Sequence, residues 1–225
     1  MLPRIFSLFI GFSITSDIVP IFDSNVKDIF RTVFYSLTFD RFLAIMQHGD
    51  RVMKQETKQQ IGQSVANFRL PRYNEIPNVG LYLEQATKYV CEYLEPLGEY
   101  TLTPSMISNY VKKGLIANPV KKQYGRDHIA YLFFIAMAKS VLSLDALTGF
   151  IKLQQQTYSL PKAYDYFAEQ FEGLLRFTFE VDDTLDLVGE DNTDEKRLLY
   201  TCIVAAVQKV YLEKCLEAIA ESEET

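Results

Sequence analysis

From Leu81 onward the apolar residues recur at helical spacing, and the breaks between stripes carry capping and turn residues. Leu83, Ala86, Val90, Leu94 and Leu97 make one stripe over a helix expected at 81–97 and closed by Pro96-Leu97-Gly98. A short helix follows. Thr103 suits its N-cap and Pro104 its first position, while Ile107, Tyr110 and Val111 face inward; Gly114 suits the left-handed residue past its end. Between Arg126 and Val141 the run from Ile129 to Ala138 is apolar on nearly every side, which predicts burial on several faces. Ser143 caps a helix from Leu144 to about Gln156. After Pro161 comes a stripe of Tyr164, Phe167, Ala168, Phe171, Leu174 and Leu175. Thr193, Asp194 and Glu195 open a last helix whose stripe is Leu199, Cys202, Ile203, Ala206, Val210 and Cys215. These last two faces demand cover, from each other or from a second subunit. Ahead of all this, 53–78 is polar and then punctuated by Pro71 and Pro77, which predicts a short helix and an extended lead-in.

Charge changes this picture. The whole chain has a net charge of −6, yet Thr103–Ser159 carries seven Lys/Arg against two Asp/Glu, a net of +5, and Leu160–Thr225 carries six against sixteen, a net of −10. Such segregation fits a basic binding module joined to an acidic partner module. The short helix turns Ser105, Ser108, Asn109 and Lys112 away from its apolar side, offering small polar groups and a cation to base edges. Asn118–Gly125 reads as a tight basic hairpin, with Lys121 and Lys122 at or near its tip and Tyr124 packing its base. Lys113, Lys121, Lys122 and Arg126 are placed to meet phosphates, and Tyr124 is counted with them at the interface.

The order short helix, Gly-Leu-Ile, Pro, basic turn, Tyr, apolar helix resembles the MerR-type winged helix. That family runs Thr-Ile-Arg-Tyr-Tyr-Glu-x-x-Gly-Leu, then Pro, a wing ending in Arg-x-Tyr, an apolar helix and Ser-Leu-x-x-Ile. Met106–Leu115 covers the first part, Pro119 and Lys122-Gln123-Tyr124 the wing, Ile129–Ala138 the helix, and Ser143–Leu147 the last part. The closest resemblance is to a bacterial family of MerR-like proteins, domain of unknown function family 1836, from about Arg72 to about Gln208. It implies a mainly α fold. A MerR-like winged helix-turn-helix over 53–143, with 81–97 as its support helix, is followed by an acidic helical dimerisation or effector region over 144–225. The resemblance to that family implies a fold and no activity; the winged-helix order and the local positive charge on an acidic chain point to a cytoplasmic DNA-binding transcriptional regulator, a homodimer on double-stranded DNA with an effector the sequence does not name. The alternative is a winged helix that binds protein instead of DNA. Ser108-Asn109 stands where the family has Arg-Tyr, and the wing is short, which favours that alternative.

Residues 1–52 differ from the rest, holding eight of the sixteen Phe, a single Lys and no Glu. Met53 is the expected true start, since Gly49-Asp50 can be encoded as a ribosome-binding sequence at suitable spacing. A genuine, loosely attached segment and a targeting signal are the alternatives; the apolar run from Ile5 to Ile14 is too short to span a bilayer.

The three cysteines, Cys91, Cys202 and Cys215, lack metal-ligand spacing and read as reduced thiols. With His48 and His128 as the only histidines, a multi-histidine metal site is ruled out, and His128 at a helix start reads as a cap or surface residue. The acidic run Glu180–Asp191 lacks the order of a calcium loop. No phosphate-cradling loop, nucleophile elbow or placed carboxylate pair is present, so neither catalysis nor a cofactor is expected.

Overall fold

The computed structural model describes residues 53–98, 100–185 and 193–223. The chain divides into two units, 1–52 and 53–225. The first, and the start-site expectation with it, lies outside the described residues. The second consists of α1 (Gln55–Val65), a 3-10 turn (Tyr73–Glu75), α2 (Leu83–Leu94), a 3-10 turn (Glu95–Leu97), α3 (Pro104–Lys112), α4 (Arg126–Ala138), α5 (Leu144–Thr157), α6 (Leu160–Thr178) and α7 (Asp194–Glu223). The fold is mainly helical, and the described residues pair as β-structure only in two isolated antiparallel bridges, Leu81–Tyr124 and Val120–Gln123.

Helix α4 is the hub. Its expected burial on several faces is met: between Ile129 and Ala138 every residue except the half-buried Tyr131 is buried. Helices α2, α6 and α7 pack around it. Phe134 stacks on Phe150 of α5 and meets Phe167 of α6 edge-on, each at 5.4 Å between ring centroids. Phe133 turns the other way, edge-on to Tyr93 of α2 at 5.7 Å. The aromatic stripe of α6 and the inner stripe of α7 cover each other, which is the first of the two kinds of cover the pattern demanded. Leu147 and Ile151 of α5 join the same core as Ile107 of α3, so the apolar interior runs on past Ser143.

Local chemistry sets the helix ends. Pro96 cannot donate to the helical ladder, and the segment expected to run as helix to Leu97 tightens into a 3-10 turn after Leu94. Helix α4 stops at Ala138 rather than Val141, where the Val141 N–H turns to the Ala138 carbonyl at 3.0 Å. At its start, the Gly125 N–H donates to Nδ1 of His128 at 3.0 Å, so the histidine caps its own helix.

The lead-in is fastened by contacts far away in sequence. Glu172 of α6 is buried and accepts from both Nη1 and Nη2 of Arg72 at 2.7 Å and from the Leu70 N–H at 2.8 Å. Asp165, two turns earlier, accepts from the Tyr73 N–H at 2.6 Å. Burial, followed by a hydrogen bond to Asp127, pushes the Tyr73 hydroxyl up to about 12. The three cysteines are free, and burial pushes the Cys202 thiol up to about 11. No described helix is long and apolar enough to cross a membrane.

Candidate nucleic-acid interface

Helix α3 packs against α2. Its inner side buries Ile107 and Tyr110. At its start the Thr103 side chain accepts from the Met106 N–H at 3.2 Å, with Pro104 next in line. At its end Gly114 takes φ +72°, the Gly114 N–H donates to Val111 and the Leu115 N–H to Tyr110, both at 2.9 Å. That is the Schellman closure, and it folds Leu115 and Ile116 back into the core. The other side of α3 is therefore held rigidly outward, and Ser105, Ser108, Asn109, Lys112 and Lys113 are all exposed on it. Ser108 is partly committed, because its hydroxyl donates to the Pro104 carbonyl at 2.9 Å and keeps only acceptor capacity for a ligand.

The hairpin at 118–125 is a two-residue turn. Val120 and Gln123 exchange backbone hydrogen bonds at 3.1 and 2.9 Å. Lys121 and Lys122 between them have φ +50° and +64°. Positive φ at both central positions is the type I′ pattern, normally filled by Asn-Gly. A lysine there costs about 1–2 kcal/mol in the left-handed region. Both lysines are exposed at the tip. Below the tip, Leu81 and Tyr124 exchange backbone bonds at 2.9 and 2.8 Å, which ties the turn to the residues leading into α2.

The remaining two expected interface residues face inward. Tyr124 is buried, edge-on to His128 at 5.5 Å. Arg126 is half-buried; its Nε donates to the Ile76 carbonyl at 2.9 Å, and its guanidinium lies 5.5 Å over the Tyr73 ring. Both brace the turn from beneath. Lys139, the next cation along the chain, donates to the Thr101 carbonyl, and burial lowers its pKa.

The periodicity missed what surrounds the turn. Val79, Tyr82 and Val120 are large apolar side chains on the surface, Val120 with 72% of its area exposed. Gly80 sits against the turn so closely that a Cβ there would lie 2.6 Å from Cβ of Gln123. The available signal was the break Pro77-Asn78-Val79-Gly80 before a helix, since an isolated glycine beside paired backbone often marks a close approach. Gly80→Ala is expected to force the Leu81–Tyr124 pairing apart and cost about 1–3 kcal/mol of stability. A chemical-denaturation midpoint within error of the parent would show that the turn yields instead. Among the described residues no group of three or more His, Cys, Asp or Glu is placed to hold a metal ion.

Residues 71–167 match the model of a family described as a domain of unknown function (DUF1836). This part of the chain, from the lead-in to the middle of α6, is similar to that family. The match starts where the sequence pattern suggested and ends well before Gln208. No curated protein and no solved structure matches the chain.

Proposed function

We propose that the protein is a DNA-binding transcriptional regulator of the MerR-like winged-helix type. On this reading α2 and α3 form the helix-turn-helix, and the Val120–Gln123 turn is the wing. The observations that carry the reading are the pair of exposed lysines held in left-handed backbone and the outward polar side of α3. Strained backbone is retained where function needs it, and a tip of two cations in an acidic chain serves a polyanion. Ser105, Asn109 and Lys112 enter the major groove, with Ser108 as an acceptor only. Lys113, Lys121 and Lys122 meet phosphates, and Tyr124 and Arg126 support the wing. The protein acts as a homodimer, since a palindromic site presents two half-sites. A cleft of about 640 Å³ between α5, α6 and α7, lined by Phe150, Tyr158, Tyr166 and Leu199, has the volume for a small effector.

A salt titration on one selected and one scrambled duplex tests this. The parent is expected to bind both at low salt and the selected one more tightly. The Asn109 amide can pair bidentately with adenine, so Asn109→Ala loses about 1–3 kcal/mol of discrimination while its salt slope stays that of the parent. A parent that binds neither duplex at low salt removes the regulator reading. The second reading, a winged helix that binds protein, then takes its place. It is favoured by the exposed Val79, Tyr82 and Val120 around the wing, an apolar surface that phosphates do not need.

A further inference from the structure

Residues at i, i+3, i+4 and i+7 share one side of a helix. Helix α6 brings Lys162, Asp165, Tyr166 and Glu169, at that spacing, to the cleft between α5, α6 and α7. The start of α7 adds Glu195, Lys196 and Leu199, and α5 adds the apolar Phe150 and Leu153. A smaller void of about 40 Å³ adjoins the cleft; it shares Phe150, Gln154, Ala163 and Leu199 with it and reaches the buried Phe134, Ile151 and Phe167. One cleft is thus lined by an apolar surface, two cations and three carboxylates. Nζ of Lys162 lies 5.3 Å over the Tyr158 ring and Nζ of Lys196 5.0 Å over the Tyr166 ring, so aromatic faces of the lining place both ammonium groups. Asp165 is partly committed, since it accepts from the Tyr73 N–H at 2.6 Å. Glu169 is exposed and Glu195 half-buried.

We propose that this cleft takes an apolar α-amino acid or a short apolar peptide with free ends. Its apolar body lies on Phe150 and Leu199 and reaches toward the smaller void. Its carboxylate meets Lys162 and Lys196, and its ammonium meets Glu169 and Glu195. The presence of both signs of charge decides the class. A ligand with only a negative charge gains the two lysines but is set against three carboxylates. A ligand with only a positive charge gains the carboxylates but is set against two ammonium groups. A zwitterion meets an opposite partner at each end, and each wrong ligand meets a like charge. The apolar body is required as well, because a purely polar zwitterion would leave Phe150, Leu153 and Leu199 uncovered.

The proposal rests on the regulator reading only in taking this cleft as the effector's seat, and it is tested without DNA. Isothermal titration calorimetry on the full chain, with equilibrium dialysis for any probe that gives no heat, compares two zwitterions with their single-charge analogues. L-phenylalanine is set against phenethylamine and 3-phenylpropanoate, and the dipeptide Leu-Phe against its C-terminal amide and its N-acetyl form. The tighter zwitterion is expected to bind about ten-fold better than either of its analogues, the worth of one charged contact. Which zwitterion is tighter tells whether the site takes a free amino acid or a peptide. Lys162→Met with Lys196→Met is expected to erase the advantage over the ammonium-only analogue. Glu169→Gln with Glu195→Gln is expected to erase the advantage over the carboxylate-only one. None of the four residues is in the core, so far-UV circular dichroism should match the parent. No binding of either zwitterion at about 1 mM overturns the proposal. So does a single-charge analogue that binds as tightly as its zwitterion, or a preference that either double variant leaves intact. The same chain on duplex DNA separates the two ideas. A chain that binds a zwitterion and ignores DNA keeps the site and sinks the regulator, and one that binds DNA and no zwitterion does the reverse.

Discussion

Glu172→Ala is expected to lower the folding free energy by about 3–5 kcal/mol, the range for removing one partner of a buried ion pair. The Glu172 side chain retains 6% of its exposure and that of Arg72 26%. The carboxylate serves three donors at once: both guanidinium nitrogens and the Leu70 N–H. Its loss strands the Arg72 charge and an amide N–H, and unpins the lead-in from α6. Arg72→Met strands the carboxylate instead and is expected to cost a similar amount. The double variant Arg72→Met with Glu172→Leu removes both charges and fills the space with apolar atoms; it is expected to recover most of the loss. Urea midpoints for these four proteins and for Glu172→Leu alone, at constant m-value, give the comparison and close the cycle. Single variants within about 1 kcal/mol of the parent would mean that the pair behaves as a surface bridge and that Glu172 does not anchor the lead-in.

That anchor holds the lead-in to α6, and it was not legible in the sequence. Arg72 and Glu172 are 100 residues apart, and no periodicity joins them. What could be read was local. Thr103-Pro104 and Gly114 mark the ends of α3 because capping is decided within one turn of chain. The stripes of α6 and α7 could be read because they repeat often enough to exceed chance. The packing of Tyr124 at the base of the hairpin was also readable, but the inward turn of Arg126 was not, because an arginine beside a basic hairpin looks the same whether its partners are phosphates or the Ile76 carbonyl. The exposed leucines of α7 were hidden by its own inner stripe. A helix apolar on two sides shows one strong periodic signal, and the weaker row of Leu198, Leu212 and Leu216 disappears into it. The left-handed backbone at Lys121 and Lys122 was also unreadable, since neither Asn nor Gly stands there to announce the turn.

The same mismatch of residue and backbone gives the most discriminating expected result. Replacing Lys121 with Asn and Lys122 with Gly installs the pair that a type I′ turn prefers. It should raise stability by about 1–2 kcal/mol, because Gly at the second position has no Cβ to strain and Asn at the first tolerates the left-handed region better than lysine. If the turn is a wing, the same change should weaken binding to selected and scrambled duplex alike and flatten the log-log salt slope by about 0.9 for each lost phosphate contact. Stability and binding then move in opposite directions, as expected where an unfavourable conformation is kept for function. Lys121→Glu with Lys122→Glu is the companion variant. It leaves two Cβ-bearing residues at positive φ, so it gains no stability from the turn, and it lowers binding further by repulsion. Thermal melts and anisotropy titrations at several salt concentrations give both readouts. A more stable Asn-Gly variant with unaltered DNA affinity would separate the lysines from DNA. The exposed Val79, Tyr82 and Val120 would then be the working surface of this turn, with a protein as its partner.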